Sequence, residues 1–452
     1  MNKLSKNDEL EVTIESLGIN GEGVAHVDGQ VIFVPFALPG EVVKIRIINA
    51  KSKILIGKAI EIVKKSEFRT IAPCPYFTQC GGCDLQHLSY DKTLEFKRDL
   101  VTNNLKNIGK VETKVDDCCS SGEPYYYRNK AAFPIVYDGK STKIGMFREL
   151  SHKLVETENC IITQDYCEKL LKITNNYLNR FKIKGYNEEN GEGDVRHLVA
   201  RNVDGHLIVT LVATKKDLAG LNEYYKALKA EFNVSLWLNI NKARNNVIFG
   251  KEFNFVAGEK EIDANICGLK VSINPASFMQ VNGKIRDKIY SEVLTNISKG
   301  SIVIDAFSGA GVMTGICSRV AQYCYGLEIV PEAVKDADNL KIRNNLANIT
   351  NICGDCAETL PKLAKKLGGE KDLILILDPP RKGVDLKVIG AISYLKPKKI
   401  IYVSCDSSTL ARDVRLILDN NEGYKITRVS PFDMFPQTRH VETLLILEKE
   451  KN

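Results

Sequence analysis

Cys405 lies in the run Val403-Ser404-Cys405-Asp406, and Glu442 closes the run Phe435-Pro436-Gln437-Thr438-Arg439-His440-Val441-Glu442. Both follow the glycine-rich segment Asp305-Ala306-Phe307-Ser308-Gly309-Ala310-Gly311. An ionised thiol is a strong nucleophile, and a carboxylate in apolar surroundings becomes a better proton acceptor. A glycine-rich turn lets the backbone approach a nucleotide-like ligand closely. Together these residue types point to addition by sulfur, then removal of a proton, beside such a ligand.

The elements that must position these groups follow from patterning. Residues 301–304 read as a buried strand that Asp305 closes, and Gly309, Gly311 and Gly315 turn the chain into a helix. Tyr325-Gly326-Leu327-Glu328 ends a second strand with an acid placed to grip ribose hydroxyls. Gly354-Asp355 follows a third short strand, and Asp378-Pro379-Pro380 follows the strand at 373–377. No second phosphate-cradling pattern is present, which favours S-adenosyl-L-methionine over a dinucleotide. Residues 398–403 are strongly β-forming, and Ser407-Ser408-Thr409-Leu410 reads as a capped helix start. Cys405 is therefore expected between a strand end and a helix N-terminus, exposed at the sheet edge with a lowered pKa. The apolar run 443–447 predicts that the Glu442 carboxylate is partly desolvated and more basic.

At 452 residues the chain exceeds what one hydrophobic core usually serves. The patterning divides it into three. Residues 1–69 carry five short β-rich runs (10–14, 23–27, 30–34, 42–48 and 57–63), which predict a small OB-like β-barrel. Residues 70–265 predict a mixed α+β central domain that opens with a cysteine cluster. Its helix over 90–108 is a candidate to pack on the third part. Residues 266–452 alternate strands and helices, the pattern of a Rossmann-like parallel α/β sheet.

The net charge of +7 is mild, but residues 44–69 carry Lys44, Arg46, Lys51, Lys53, Lys58, Lys64, Lys65 and Arg69 against Glu61 and Glu67. That asymmetry gives the barrel an RNA-binding reading. Arg128, Lys130 and Arg196 are further candidates for backbone phosphates. No run of about 18 apolar residues occurs, and the first residues lack the apolar stretch of a secretory signal. The cytoplasm is the expected location, with no membrane and no obligate protein partner. Thirteen cysteines, an odd number, then read as ligands, a nucleophile and buried thiols rather than disulfides. Cys74, Cys80 and Cys83, with Cys160 further on, offer four soft thiolates whose spacing suits zinc or an iron-sulfur cluster. Cys118, Cys119, Cys167, Cys267, Cys317, Cys324, Cys353 and Cys356 read as packing residues.

Three blocks, Asp378-Pro379-Pro380-Arg381-Lys382-Gly383, Val403-Ser404-Cys405-Asp406 and His440-Val441-Glu442-Thr443, are similar to the signatures of the RNA uracil-5-methyltransferases. The likeness is strongest to the 23S ribosomal RNA enzymes. Ser277-Phe278-Met279-Gln280-Val281-Asn282 resembles their substrate and cofactor segment, and the amino-terminal barrel resembles their TRAM domain. The resemblance covers nearly the whole chain. It implies a class I methyltransferase domain that makes 5-methyluridine in RNA, 23S rRNA above all, with Cys405 adding to carbon 6 and Glu442 removing the carbon 5 proton. It further implies that Asp378 holds the uracil edge and Phe278 stacks near it. Gln280, Phe307, Glu328, Asp355 and Asp378 would line the cofactor pocket, with Gly309 and Gly311 in its loop. For Cys74, Cys80, Cys83 and Cys160 it implies a 4Fe-4S cluster, where spacing alone leaves zinc as the alternative.

The chain departs from the family where Asp406 replaces a frequent Asn, and Val312 follows Gly311. Rival readings are a transfer RNA substrate, a non-catalytic RNA-binding or assembly factor, and amine methylation of adenine. The last expects an aromatic residue where Arg381 stands and has no use for Cys405. The non-catalytic reading expects the thiol or the base to be missing, and both are present.

Overall fold

The computed structural model describes residues 4–50, 54–367, 369 and 372–450. Lys51 and Lys53 of the basic segment lie outside the described residues. The amino-terminal strands are β1 (Glu9–Thr13), β2 (Ser16–Leu17), β3 (Gly23–Val27), β4 (Gln30–Val34), β5 (Val42–Asn49) and β6 (Ile54–Lys64). They form one sheet in the order β1-β5-β6-β4-β3-β2. Because β1 and β2 are consecutive in the chain yet lie at opposite ends of that order, the sheet closes into a barrel. Ile14 N–H donates to Glu41 and Glu15 N–H to Val24, carrying the strand from β5 across to β3. Along β5, Val43, Ile45 and Ile47 are buried while Lys44 and Arg46 point out, the two-residue period of a half-buried strand.

The basic segment is less available than its composition implies. Lys44 and Arg46 share Glu9. Arg69 is held inside, donating to the buried Glu41 and to the Phe36 carbonyl. It is a strut rather than a phosphate contact, because releasing it would leave Glu41 buried and unpaired. Lys58, Lys64 and Lys65 stand exposed.

After the cysteine-rich loop comes α1 (Tyr90–Asn107), and then the central sheet. Its elements are β7 (Lys130–Tyr137), β8 (Thr142–Phe147), β9 (Leu154–Glu156), α2 (Cys167–Arg180), β10 (Val195–Val203), β11 (His206–Ala213), α3 (Leu221–Lys229), β12 (Asn233–Ile240) and β13 (Glu252–Ala257). The strand order is β13-β12-β11-β10-β7-β8-β9, and α2 and α3 pack on its core. Arg196 on β10 corrects another expectation. It is buried, donates to the Ala243 carbonyl, pairs with Glu188 and lies over the Tyr186 ring, so it braces a loop and is not open to RNA.

A hairpin, β14 (Ile262–Ile266) and β15 (Leu269–Ile273), joins the central sheet to the carboxyl-terminal part. The sequence-based division after residue 265 falls inside β14, whose apolar face packs with Val203 and Ile208 on one side and Ile316 and Leu340 on the other.

The last part runs α4 (Gly283–Thr295), β16 (Ile302–Ala306), α5 (Val312–Cys317), β17 (Tyr323–Glu328), α6 (Pro331–Arg343), β18 (Ile349–Cys353), α7 (Cys356–Leu367), β19 (Leu373–Leu377), α8 (Leu386–Leu395), β20 (Lys399–Ser404), α9 (Ser407–Asn420), β21 (Tyr424–Phe432) and β22 (Glu442–Lys449). The sheet order is β18-β17-β16-β19-β20-β22-β21. Strands β16 to β20 pair in parallel, and β22 enters antiparallel between β20 and β21. Strand β19, Leu-Ile-Leu-Ile-Leu, is buried throughout, as a parallel strand covered on both faces must be. Helices α7, α8, α9 and α1 share the core on one face, and α4 and α5 share the core on the other.

Helix α1 thus belongs to the packing of this last sheet. Its buried stripe is Thr93, Lys97, Val101 and Leu105, and Lys97 is fully enclosed. The Lys97 ammonium pairs with Asp433, also fully buried, and donates to the Phe435 carbonyl at 3.0 Å. Tyr90 OH donates to the second Asp433 oxygen at 2.7 Å. Removing one member of such a pair strands a charge. Asp433→Ala should cost about 3–5 kcal/mol in denaturant unfolding. A loss below about 1 kcal/mol, the range of a surface pair, would show that the ion pair does not hold α1 to the sheet.

Candidate active site

Strand order reverses between β16 and β19, since the chain leaves β16 for β17 on one side and β19 for β20 on the other. Crevices at the carboxyl ends of such strands are where open α/β sheets bind ligands. The loop after β16 borders this crevice. Phe307 sits at φ +69, a left-handed conformation uncommon for a bulky residue and associated with functional sites. Gly311 is at φ +76, and a Cβ there would lie 2.7 Å from the Cβ of Ala337, so only glycine fits. Glu328, at the end of β17, accepts from Gly309 N–H at 3.0 Å and from Val330 N–H at 2.8 Å. Beside it Ile329 and Val330 are exposed, an apolar wall next to an acid, which suits the base and ribose of a nucleoside. Asp355 accepts from Ala357 N–H at the start of α7. Asp305 belongs to β16 itself and is buried, accepting from Thr314 Oγ1 at 2.6 Å, so it supports the loop and does not face a ligand.

The segment from Ser277 to Asn282 is stitched down from behind. Arg201 donates to the Ser277 carbonyl, Asn129 Nδ2 to the Gln280 carbonyl, and Asn129 N–H to Val281. Ser277 and Met279 point inward while Phe278 is 77% exposed. A bare aromatic ring between two buried neighbours is a platform for stacking.

Cys405 and Glu442 meet where β22 pairs with β20. Ser404 lies opposite Thr443 in that ladder, so Cys405 and Glu442 are the next residues out on adjacent strands. Glu442 is buried, and desolvation, aided by Asp378 and opposed by Arg381, pushes its pKa up to about 8. The thiol of Cys405 is also raised, by burial first and then by Glu442, while Arg381 beside it favours the thiolate. This reverses the sequence-based expectation of a lowered thiol pKa. The physical reason is local: Asp406 occupies the N-terminus of α9, accepting from Ser408 and Thr409 N–H at 3.0 Å, so the helix end is spent on a carboxylate. Asp378 follows β19 and shares this field. The protein mass around it pushes its pKa toward about 7, yet its side chain opens onto solvent. Water in the open cleft offsets that rise, and a ligand filling the cleft would restore it.

Arg381 is a site residue that the motif reading leaves without a role, although an arginine directly after a strand-end Asp-Pro-Pro is a signal for charge at the site. Its loop is fixed by Asp413, which is buried and accepts from Val384 N–H at 2.8 Å and Tyr402 OH at 2.7 Å. Gly383 in that loop is at φ +77, and a Cβ there would strike the Asp413 carboxylate.

Cys74, Cys80, Cys83 and Cys160 line one cavity of about 160 Å³ together with Arg128. Each of Cys74, Cys80 and Cys83 feels the charge of Cys160, and burial pushes Cys80 up to about 11 and Cys83 up to about 12. Such thiols rest protonated and would ionise only if a cation compensated them. Among the described residues, however, no three His, Cys, Asp or Glu side chains are drawn into a set that could hold a metal ion. All thirteen cysteines are free. Cys353, expected to pack, is exposed at the end of β18. Lys130 is half-buried near the Phe249 ring, with its pKa lowered to about 8 by desolvation. No helix among the described residues is long and apolar enough to cross a membrane.

Residues 3–60 match the TRAM domain family, and residues 89–450 match the tRNA (Uracil-5-)-methyltransferase family. An uncharacterized RNA methyltransferase of Clostridium acetobutylicum is 35% identical over 455 residues, spanning 99% of this chain and 98% of its own length. Another from Halalkalibacterium halodurans is 37% identical over 98% of both chains. Among solved structures, the Pyrococcus abyssi tRNA (uracil-54, C5)-methyltransferase in complex with S-adenosyl-L-homocysteine superposes with a TM-score of 0.77. It is 26% identical and covers 97% of this chain and 100% of its own.

A base acts when deprotonated, and both Glu442 and Cys405 are shifted upward. The multiple-turnover rate of RNA methylation, which includes proton removal, should therefore rise as pH is raised through about 8. A rate that is flat or falling across that range would contradict the buried, elevated carboxyl and thiol.

Proposed function

Because the chain belongs to the tRNA (uracil-5-)-methyltransferase family and carries a TRAM domain, we propose that it methylates carbon 5 of a uridine in 23S rRNA through a covalent bond between Cys405 and the base. The observation that carries this reading is the β20–β22 ladder, which brings Cys405 beside Glu442 within one electrostatic field shared by Asp378 and Arg381. Carbon 5 of uracil is too weak a nucleophile to take a methyl group unaided, so the Cys405 thiolate adds to carbon 6 and leaves an enolate across carbons 4 and 5. Arg381 favours the thiolate before addition. Carbon 5 of the enolate takes the methyl group that S-adenosyl-L-methionine would supply, the carbon–sulfur bond to that methyl breaking to leave S-adenosyl-L-homocysteine. Glu442 then takes the proton from carbon 5, and the electron pair left behind re-forms the 5,6 double bond as the thiolate departs.

Asp378 holds the uracil edge and Phe278 stacks on the base, which is flipped from its surroundings because a stacked base cannot present carbon 6 to sulfur. Gln280, Phe307, Glu328 and Asp355 line the cofactor cleft with Gly309 and Gly311. Phosphates fall to the exposed Lys58, Lys64 and Lys65 of the barrel. Arg128 and Lys130, both half-buried, support the RNA face from within. We place the reaction in the cytoplasm, where thirteen free thiols persist.

The ribosomal assignment rests on the likeness of the cysteine quartet and the barrel to the 23S enzymes. A second reading, a transfer RNA substrate, is favoured by the activity of the Pyrococcus abyssi neighbour. Mapping 5-methyluridine in both RNA classes from cells with and without the gene separates the two. We further assign a 4Fe-4S cluster to Cys74, Cys80, Cys83 and Cys160, with zinc as the alternative. When bound it would tie the 74–83 loop to residue 160.

Three results are expected. Cys405→Ala should abolish both methyl transfer and covalent RNA attachment, whereas Glu442→Gln should still add and methylate but accumulate methylated RNA bound to protein on denaturing gels. Normal turnover by either variant would remove that residue from its role. Anaerobically purified protein should be brown, and colourless protein holding one zinc would overturn the iron assignment.

A further inference from the structure

Glu442 is the first residue of β22 and pairs with Phe432, the last residue of β21, so residues 433–441 form the loop that closes that hairpin. This loop has few internal ties. Thr438 N–H and Oγ1 donate to the Phe435 carbonyl, and His440 N–H donates to Thr438 Oγ1. Gln437 is buried in the left-handed region at φ +67, and its Oε1 has no hydrogen-bond partner. Such a backbone persists only when its surroundings impose it.

Apart from the pairing of Arg439 with Glu149, the imposing hydrogen bonds come from residues 84–127. Lys97 and Tyr90 hold Asp433, and Tyr127 OH donates to the Pro436 carbonyl at 3.1 Å. The contacts nearest the proton acceptor come from the cysteine-rich loop. Asp84 N–H and Leu85 N–H both donate to the Gln437 carbonyl, at 3.0 and 3.1 Å. The Asp84 carboxylate accepts from Arg439 N–H at 3.0 Å and from the Arg439 guanidinium at 2.9 Å. Asp84 therefore grips both ends of the strained turn, the second grip only three residues before Glu442.

Asp84 also fixes where a cation points. Arg439 is drawn toward Asp84 and Glu149. The charged groups that act on Glu442 are Asp378 and Arg381.

We infer that Asp84 is a positioning residue for proton removal: it clamps the 433–441 loop and restrains Arg439 so that Glu442 meets the carbon 5 proton. The inference rests on the covalent reading given above. Asp84 touches neither substrate nor cofactor, and its effect is transmitted through Arg439 and the loop.

The test is Asp84→Asn in the full chain. This variant keeps the two backbone donors to Gln437 but loses the carboxylate pair with Arg439. With uridine RNA, turnover should fall about tenfold or more, as misplacement of a catalytic group allows. Methylated RNA bound to protein should build up as it does for Glu442→Gln, while S-adenosylmethionine affinity stays that of the wild type. A merely structural role would instead lower cofactor binding and adduct formation together. That outcome, or wild-type turnover with no accumulated adduct, overturns the inference. If Asp84→Asn fails to fold, Arg439→Gln breaks the same clamp from the other side and is judged by the same outcomes. Wild-type enzyme that forms no covalent complex with 5-fluorouridine RNA would sink the covalent reading itself, which separates that failure from failure of the clamp.

Discussion

The antiparallel pairing of β22 with β20 is the constraint on which the site depends. Ser404 opposite Thr443 sets Cys405 and Glu442 side by side. A slip of one residue would turn Glu442 to the other face of the sheet and bury its neighbour instead. Such a slip is opposed by the row from Thr443 to Leu447, which is buried between two strands and covered by helices on both faces. The core that fixes register therefore fixes the chemistry.

That placement carries an electrostatic cost. A thiol and two carboxyls meet at one corner of the cleft, where burial raises the pKa of Cys405 and of Glu442 while Asp378 opens onto solvent. Arg381 is the opposing charge at that corner, favouring both the thiolate and the ionised Glu442. Its loop is pinned by Asp413 through Val384 and Tyr402. Burial raises both Glu442 and the Cys405 thiol, and Arg381 is the charge that works against that rise at both. The hairpin loop above them is held by α1 and the cysteine-rich loop, which ties the central region to the reacting groups.

Much of this was legible in the sequence wherever the signal is local. The barrel strands follow two-residue alternation, and Asp28-Gly29 forms the turn between β3 and β4, both residues at positive φ, as that dipeptide predicts. The strand-end acids and glycines mark the cleft because strand, turn and helix are consecutive in the chain. What escaped depends on partners far apart in sequence. Lys97 sits in a stripe with Thr93, Val101 and Leu105, yet nothing near it announces Asp433. Arg69 and Arg196 read as free cations because Glu41, Glu188 and the Ala243 carbonyl become their partners only on folding. The direction of the Cys405 shift was misjudged for a similar reason: the helix end was visible, but its occupation by Asp406 and the approach of Glu442 were not.

The central claim, that Cys405 bonds to the base and Glu442 releases it, is tested most directly by peptide mapping of a trapped complex. Enzyme, S-adenosylmethionine and an RNA fragment carrying 5-fluorouridine at the modified position should yield a stable adduct, because fluorine cannot leave as a proton. Mass spectrometry after protease and nuclease digestion should place one methylated fluorouridine on the peptide containing Cys405. A methylated nucleotide found on another cysteine, or methylated RNA with no protein attached, would contradict the assignment.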